Sequence, residues 1–265
     1  MRLFLAGACV AASQAAAEPI SGDFLDSLPP ADIVFLGEVH DNPKHHENQA
    51  RAMAAIAPVA VVFEMLTEEQ AVRIPGELPS EETMRRILDW DNSGWPDFAL
   101  YYPLFEVAPD ARFFGAALPR AAAREAVGRD PADIFGPDAQ MFGLDQPLPA
   151  QQQEARETLQ AEAHCNALPE HLLPGMVEVQ RLRDALLAQT ALQAFAVTGG
   201  PVVVITGTGH ARTDWGAPFK LTGAAPDLRV VSIGQFEVLP DDTPPFDYWI
   251  VTDPSPRPDP CELFQ

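Results

Sequence analysis

Three observations predict an α/β fold: a mostly parallel central sheet with flanking helices and a small helical cap. Apolar runs rich in β-branched and aromatic residues recur along the chain, near-continuous instead of alternating, as in strands covered on both faces. Helical patterns separate them, and strand–helix alternation builds parallel sheets. Acids and imidazoles gather just after these runs, and parallel sheets bind ligands beyond the carboxyl ends of their strands.

Taken in order, "MRLFLAGACVAASQAAAEP" has one Arg, a short apolar run and Ala15-Ala16-Ala17 before Glu18, the pattern of an export signal spanning 1–17. "LAGAC" also hints at lipidation on Cys9, which ranks below simple secretion because the run before it is short. The remaining chain, 18–265, is expected to be one domain. "DIVFLG" (32–37) is the first strand, stopping at Gly37, and Asn42-Pro43 starts a helix through "KHHENQARAMAAIA" (44–57). The adjacent His45 and His46 point in different directions there, so at least one is expected in solvent. "VAVVFEM" (59–65) is the next strand. Segment 66–110 carries helical pieces and is assigned to the cap. "ARFFGAAL" (111–118) is a strand and 119–127 a helix opened by Pro119. Segment 150–197 is strongly helical, with Val179, Leu182 and Leu186 at core spacing, and completes the cap. "PVVVITG" (201–207), "VVSIG" (230–234) and "YWIVT" (248–252) finish the sheet, and the Pro-rich tail from 240 lies extended on the surface.

The chain has 265 residues, 47% of them hydrophobic, enough for a large core. A formal charge of −21 argues against nucleic acid as a partner, because phosphate backbones need clustered Lys and Arg. Once Cys9 leaves with the signal, Cys165 and Cys261 remain in an oxidising setting, and a disulfide between them is favoured over two unrelated thiols.

The chemistry sits at the run ends. Glu38 and His40 follow the first run, Glu64 closes the second, and His210 and Arg212 follow "VVVITG" in "ITGTGHAR". Arg112 starts the third run and Arg120 lies beyond its end. Each has a bland alternative: Glu38 as a helix cap, the glycines of "GTGH" as a plain tight turn that turns His210 inward. Glu64 is hardest to dismiss, since a carboxylate inside an apolar run must be paired. His164 and His171 read as structural or solvated. Glu38, His40, Glu64 and His210 suit a divalent metal through nitrogen and oxygen, or a Glu–His pair that activates water for hydrolysis. The absence of Gly-x-Ser-x-Gly disfavours serine catalysis, and the absence of Cys-x-x-Cys-His excludes covalent haem attachment.

"FLGEVHDNPKHHENQ", the Glu64 strand end, "VQRLRDALLA" (179–188) and "VITGTGHAR" resemble, in order, the motifs of ChaN-like haem-binding uptake proteins, over residues 30 to 235. That family is similar to the TIKI/TraB and erythromycin-esterase-like proteins, whose Gly-Glu-x-His and Gly-x-x-His motifs match Gly37, Glu38 and His40, then Gly207 and His210. The resemblance implies a periplasmic or outer-membrane-associated protein that holds haem for iron uptake, with a homodimer through the haem face and an outer-membrane haem receptor as partners. It implies a tyrosine on the iron, with Tyr101 and Tyr102 in "ALYYPLF" as candidates that Pro103 leaves at a turn. Core packing of those rings is the competing reading. Arg120 and Arg212 are candidates for the haem carboxylates, with Trp90, Trp95 and Phe98 as apolar lining. The alternative function is a metal-dependent esterase or peptidase using Glu38, His40, Glu64 and His210.

Overall fold

The computed structural model describes residues 18–259, 261 and 262. The expected export signal at 1–17 and Cys9 lie outside the described residues.

Along the chain come strand β1 (Glu18–Pro19), a 3₁₀ turn (Gly22–Ser27), β2 (Ile33–Glu38), α1 (Pro43–Ile56), β3 (Ala60–Phe63), α2 (Glu68–Val72) and α3 (Glu81–Ile87). There follow α4 (Phe98–Glu106), β4 (Arg112–Gly115), α5 (Arg120–Ala126), α6 (Pro131–Phe135), α7 (Ala150–Ala163) and α8 (Leu173–Thr198). β5 (Val202–Gly207), α9 (Ala217–Ala224), β6 (Val230–Phe236) and β7 (Tyr248–Val251) complete the described chain.

The strands form one sheet in the order β1-β7-β6-β2-β5-β3-β4, every pair parallel. β2 lies between β5 and β6, with Ile33 opposite both Val202 and Val230. The continuous apolar runs have the expected cause: β2, β3 and β5 are buried at every position. Ile33, Phe35, Val62, Val202 and Val204 face a layer that includes α8 and α9. Val34, Leu36, Val61, Phe63, Val203 and Ile205 face α1, α3 and α4. Burying each such side chain stabilises by about 1.5–3 kcal/mol, which makes this sandwich the main support of the site.

Local chemistry sets the boundaries. Asn42 caps α1 by accepting from the Lys44 and His45 N–H groups, and Pro43 occupies the first helical position, where its missing N–H costs nothing. Gly115 ends β4 because a Cβ there would lie 2.2 Å from the Thr67 carbonyl oxygen, where the chain leaving β3 crosses. The helical stretch 150–197 divides into α7 and α8, separated by Cys165 and Asn166, both at positive φ. Cys165 and Cys261 are joined in a disulfide across 96 residues of sequence, a closure worth about 4–5 kcal/mol in the chain-entropy model.

Three expectations are corrected. β2 does not stop at Gly37 but includes Glu38, whose backbone registers with Gly207 of β5. His45 and His46 are both buried, because the chain around Thr252 and the backbone at His40 supply partners to each. Tyr101 and Tyr102 are not at a turn: Pro103 lies inside α4, and burial of Phe98, Tyr101, Leu104 and Phe105 outweighs the hydrogen bond that Pro removes.

Candidate functional site

Four strand-end side chains come together where the carboxyl ends of β2, β3 and β5 meet. Glu38 ends β2, Glu64 is the first residue after β3, and His40 and His210 occupy the loops after β2 and β5. Gly207 sits at their centre. A Cβ there would lie 3.0 Å from His40 Nε2 and 3.7 Å from Glu64 Oε2, so glycine is what lets the imidazole and the carboxylate approach this backbone.

Around Glu38 both carboxylate oxygens are engaged, although the buried His46 Nδ1 and Gln49 Oε1 nearby have no partner. Its Oε1 accepts from His40 Nδ1 and from the Tyr101 hydroxyl, both at 2.8 Å, and its Oε2 accepts from Gln49 Nε2 at 2.8 Å. His46 donates from Nε2 to the His40 carbonyl and holds Nδ1 3.6 Å from Glu38 Oε2. Tyr101 is fully buried, and its loss of solvent together with the Glu38 charge pushes the phenol well above its ordinary value. It is a proton donor here. His45 lies behind: Nδ1 accepts the Val39 N–H, which leaves Nε2 to donate to Thr252 Oγ1. That is the neutral tautomer, in keeping with a pKa pushed down by burial to about 4.

Around Glu64 the network is open on one side. Glu64 Oε2 accepts from the Thr206 hydroxyl and the Gly207 N–H, both at 2.7 Å. Oε1 faces His210 Nε2 at 3.6 Å, too far for a direct hydrogen bond. His210 Nδ1 donates to Asp184 Oδ1 at 2.6 Å. Burial works against the Glu64 charge, but His210, His40 and the two hydrogen bonds outweigh it and bring the pKa to about 2. Burial likewise works against a charged His210, and Glu64 and Asp184 overcome it, raising its pKa. For His40, whose side chain is 33% exposed, Glu38 and Glu64 prevail over burial and raise the pKa to about 9.

The other expected residues scatter. Tyr102 turns away from Glu38 and donates to the Pro79 carbonyl at 2.9 Å. Arg120 donates to the Ser93 carbonyl and lies beside Gly94, next to Trp95, whose ring meets His40 edge-on at 4.8 Å. Arg212 is held by Asp214 and lies 3.7 Å over the Trp215 ring. Trp90 and Phe98 pack on each other and belong to the core. Among the described residues no group of three or more His, Cys, Asp and Glu is placed to hold a metal ion. Among them, too, no helix is long and apolar enough to cross a membrane.

Asp184, Gln49 and His46 escaped the sequence reading. Asp184 left a signal: it lies three residues from Arg181 and four from Ala188, on the buried stripe of α8. An acid on that stripe demands a partner. The segments 66–110 and 150–197 pack on opposite faces of the sheet, yet each sends one side chain to the strand ends, Tyr101 and Asp184 respectively.

A family model described as haem-binding uptake, Tiki superfamily, ChaN, matches residues 24–221. The structure of ChaN from Campylobacter jejuni, with cofacial haem, is similar at 20% identity and a TM-score of 0.68, covering 86% of this chain and 89% of that one. A succinoglycan biosynthesis protein is similar at 13% identity and TM-score 0.42, covering 78% of this chain and 66% of that one. The erythromycin esterase EreC is similar at 11% identity and TM-score 0.37, covering 78% and 70%. At those scores neither bears on mechanism. No curated protein matches.

Proposed function

The chain belongs to the ChaN haem-binding uptake family of the Tiki superfamily, and on that premise we propose that it is exported and binds haem non-covalently in a cleft at the carboxyl ends of its strands, flanked by the helical segments that the sequence assigns to one cap. The family match across most of the chain carries this reading. The rim formed by Arg120, Trp95 and the exposed part of His40 fits a haem edge, offering a cation, an aromatic plane and an imidazole. Tyr101 does not fit as a tyrosinate while its proton rests on Glu38. Tyr102 is half-buried with its hydroxyl on one carbonyl, so freeing it would leave the Glu38 network intact, and it is the better candidate for an oxygen donor. Bound haem would supply an iron centre able to take such an oxygen donor. A homodimer through this rim and delivery from a membrane receptor follow from the family premise.

Haemin titration tests it. A saturable Soret shift is expected, weakened at least tenfold in Tyr102→Phe and in Arg120→Ala. A parent protein with no saturable shift ends the proposal. A full shift in Tyr102→Phe and its loss in Tyr101→Phe would move the ligand to Tyr101.

A second reading rests on the gap between His210 Nε2 and Glu64 Oε1. Asp184 orients His210, and a water beside the pair, in reach of both atoms, would have the free Glu64 oxygen as its base, as general-base hydrolysis of an ester or peptide requires. If His210→Ala changes neither metal content nor any activity found in an esterase and peptidase screen, this reading fails.

A further inference from the structure

We infer that the cavity enclosed by α7, α8, α9 and residues 140–148 is a second ligand site, separate from the strand-end cluster, and that it takes a small organic anion with an apolar body, such as an aromatic carboxylate. The starting observation is an anomaly of charge. With 38 acids to 17 Lys and Arg, carboxylates are plentiful; exposed cations such as Arg86 and Arg124 go without one among the described residues and have water instead, but many cations pair. Arg51, Arg73, Arg85, Arg229 and Arg257 each do. Arg156 and Lys220, 7% and 8% exposed, have no ion pair among the described residues.

Arg156 donates once, to the Trp215 carbonyl at 3.2 Å, lies 5.1 Å over the Trp215 ring, and leaves its buried Nε without a partner. Lys220 donates once, to the Phe142 carbonyl at 2.9 Å, although an ammonium has three donors. Both line the same cavity, of ≈ 670 Å³, within the range that holds small molecules. Burial lowers the pKa of each, that of Lys220 to about 8. Nearby carboxylates act on them only at a distance and are engaged elsewhere: Asp184 on His210, Asp214 on Arg212, Glu178 on Arg181. Arg181, the third buried cation, differs in having a carboxylate: it pairs with Glu178 and donates to the carbonyls of Gly143 and Gln146, with only its Nε unpartnered, and so pins the segment that walls the cavity. The single acid in that wall, Asp247, is bonded to the Ser232 N–H and has its pKa raised by burial.

The rest of the wall mixes apolar side chains with a few neutral polar ones such as Gln152 and Thr213. Phe142 and Trp215 line the interior, while Met141 and Phe219, 52% and 56% exposed, flank the mouth. Two unpaired cations inside an aromatic cavity match an anion on an apolar frame. A buried charge without a counterion destabilises a fold, so its presence here is accounted for by a ligand that completes the pair.

Calorimetric titration of the mature protein with 2-naphthoate, and separately with inorganic phosphate, tests the inference. The expected result is saturable 1:1 binding of 2-naphthoate, weakened at least tenfold in Lys220→Met. That variant should melt at or above the parent temperature, because an unpaired buried charge has gone. Phe219→Ala alters an exposed residue, so it should keep the fold while weakening 2-naphthoate at least threefold. Haemin titration should be unchanged in both. The inference is overturned by the absence of saturable binding, by equal affinity in parent and both variants, or by phosphate binding as tightly as 2-naphthoate. Stoichiometric displacement by haemin would also overturn it, by making the cavity part of the haem cleft.

Discussion

The two halves of the strand-end cluster use the same residue types and differ in one respect. Both oxygens of Glu38 accept, with three hydrogen bonds at 2.8 Å between them. Of the Glu64 oxygens only Oε2 accepts, and Oε1 is left facing the His210 imidazole across 3.6 Å. A carboxylate beside a histidine is thus structural when its lone pairs are spoken for and available for chemistry when they are not. Saturation, more than residue identity, separates a buttress from a reactive pair.

The sharpest way to break this contrast is Glu38→Ala. It leaves Tyr101, Gln49 and His40 without their shared acceptor and should lower unfolding free energy by about 3–5 kcal/mol, read by urea denaturation. A cost below about 1 kcal/mol would mean that Glu38 is no buttress. Next comes Tyr101→Phe, which removes one donor and should cost about 1–3 kcal/mol in the same assay. Asp184→Asn probes the open half: with the negative partner gone, the His210 pKa should fall, which NMR titration of the ring measures. An unmoved value would leave Asp184 without a role in poising His210.

A separate way to sharpen the comparison is the pH profile of stability. His45 falls from 6.5 unfolded to about 4 folded, so its contribution is complete above 6.5 and is lost as pH drops toward 4. Glu64, lowered from 4.5 to about 2, adds a second acid limb below 4.5. His40 is raised from 6.5 to about 9, so its share is present below 6.5 and lost as pH climbs through 9. Stability should therefore peak near neutrality. His45→Gln should flatten the limb between pH 6.5 and 4 in melting curves, and an unaltered limb would refute the assignment.

Much of the sheet was legible residue by residue. Strands buried on both faces leave uninterrupted apolar runs, so β2, β3 and β5 stand out, and Glu38, Glu64 and His210 are conspicuous at their ends. Asp184 and Gln49 were harder because each sits in a helix among residues of every kind, and only the partner across space reveals its purpose. The Arg156 and Lys220 cavity left no pattern in the chain, since its walls come from six separate stretches.

By itself the sequence determined the layered α/β frame, the strand limits to within a few residues and the family, because periodicity and local motifs are properties of neighbouring residues. Tertiary structure alone decided which acid is saturated and which is poised, that the Tyr101 phenol donates to Glu38, and which cations lack carboxylates. Those depend on distances between segments separated by tens to hundreds of residues, and hydrogen bonds and charges respond to distance in space.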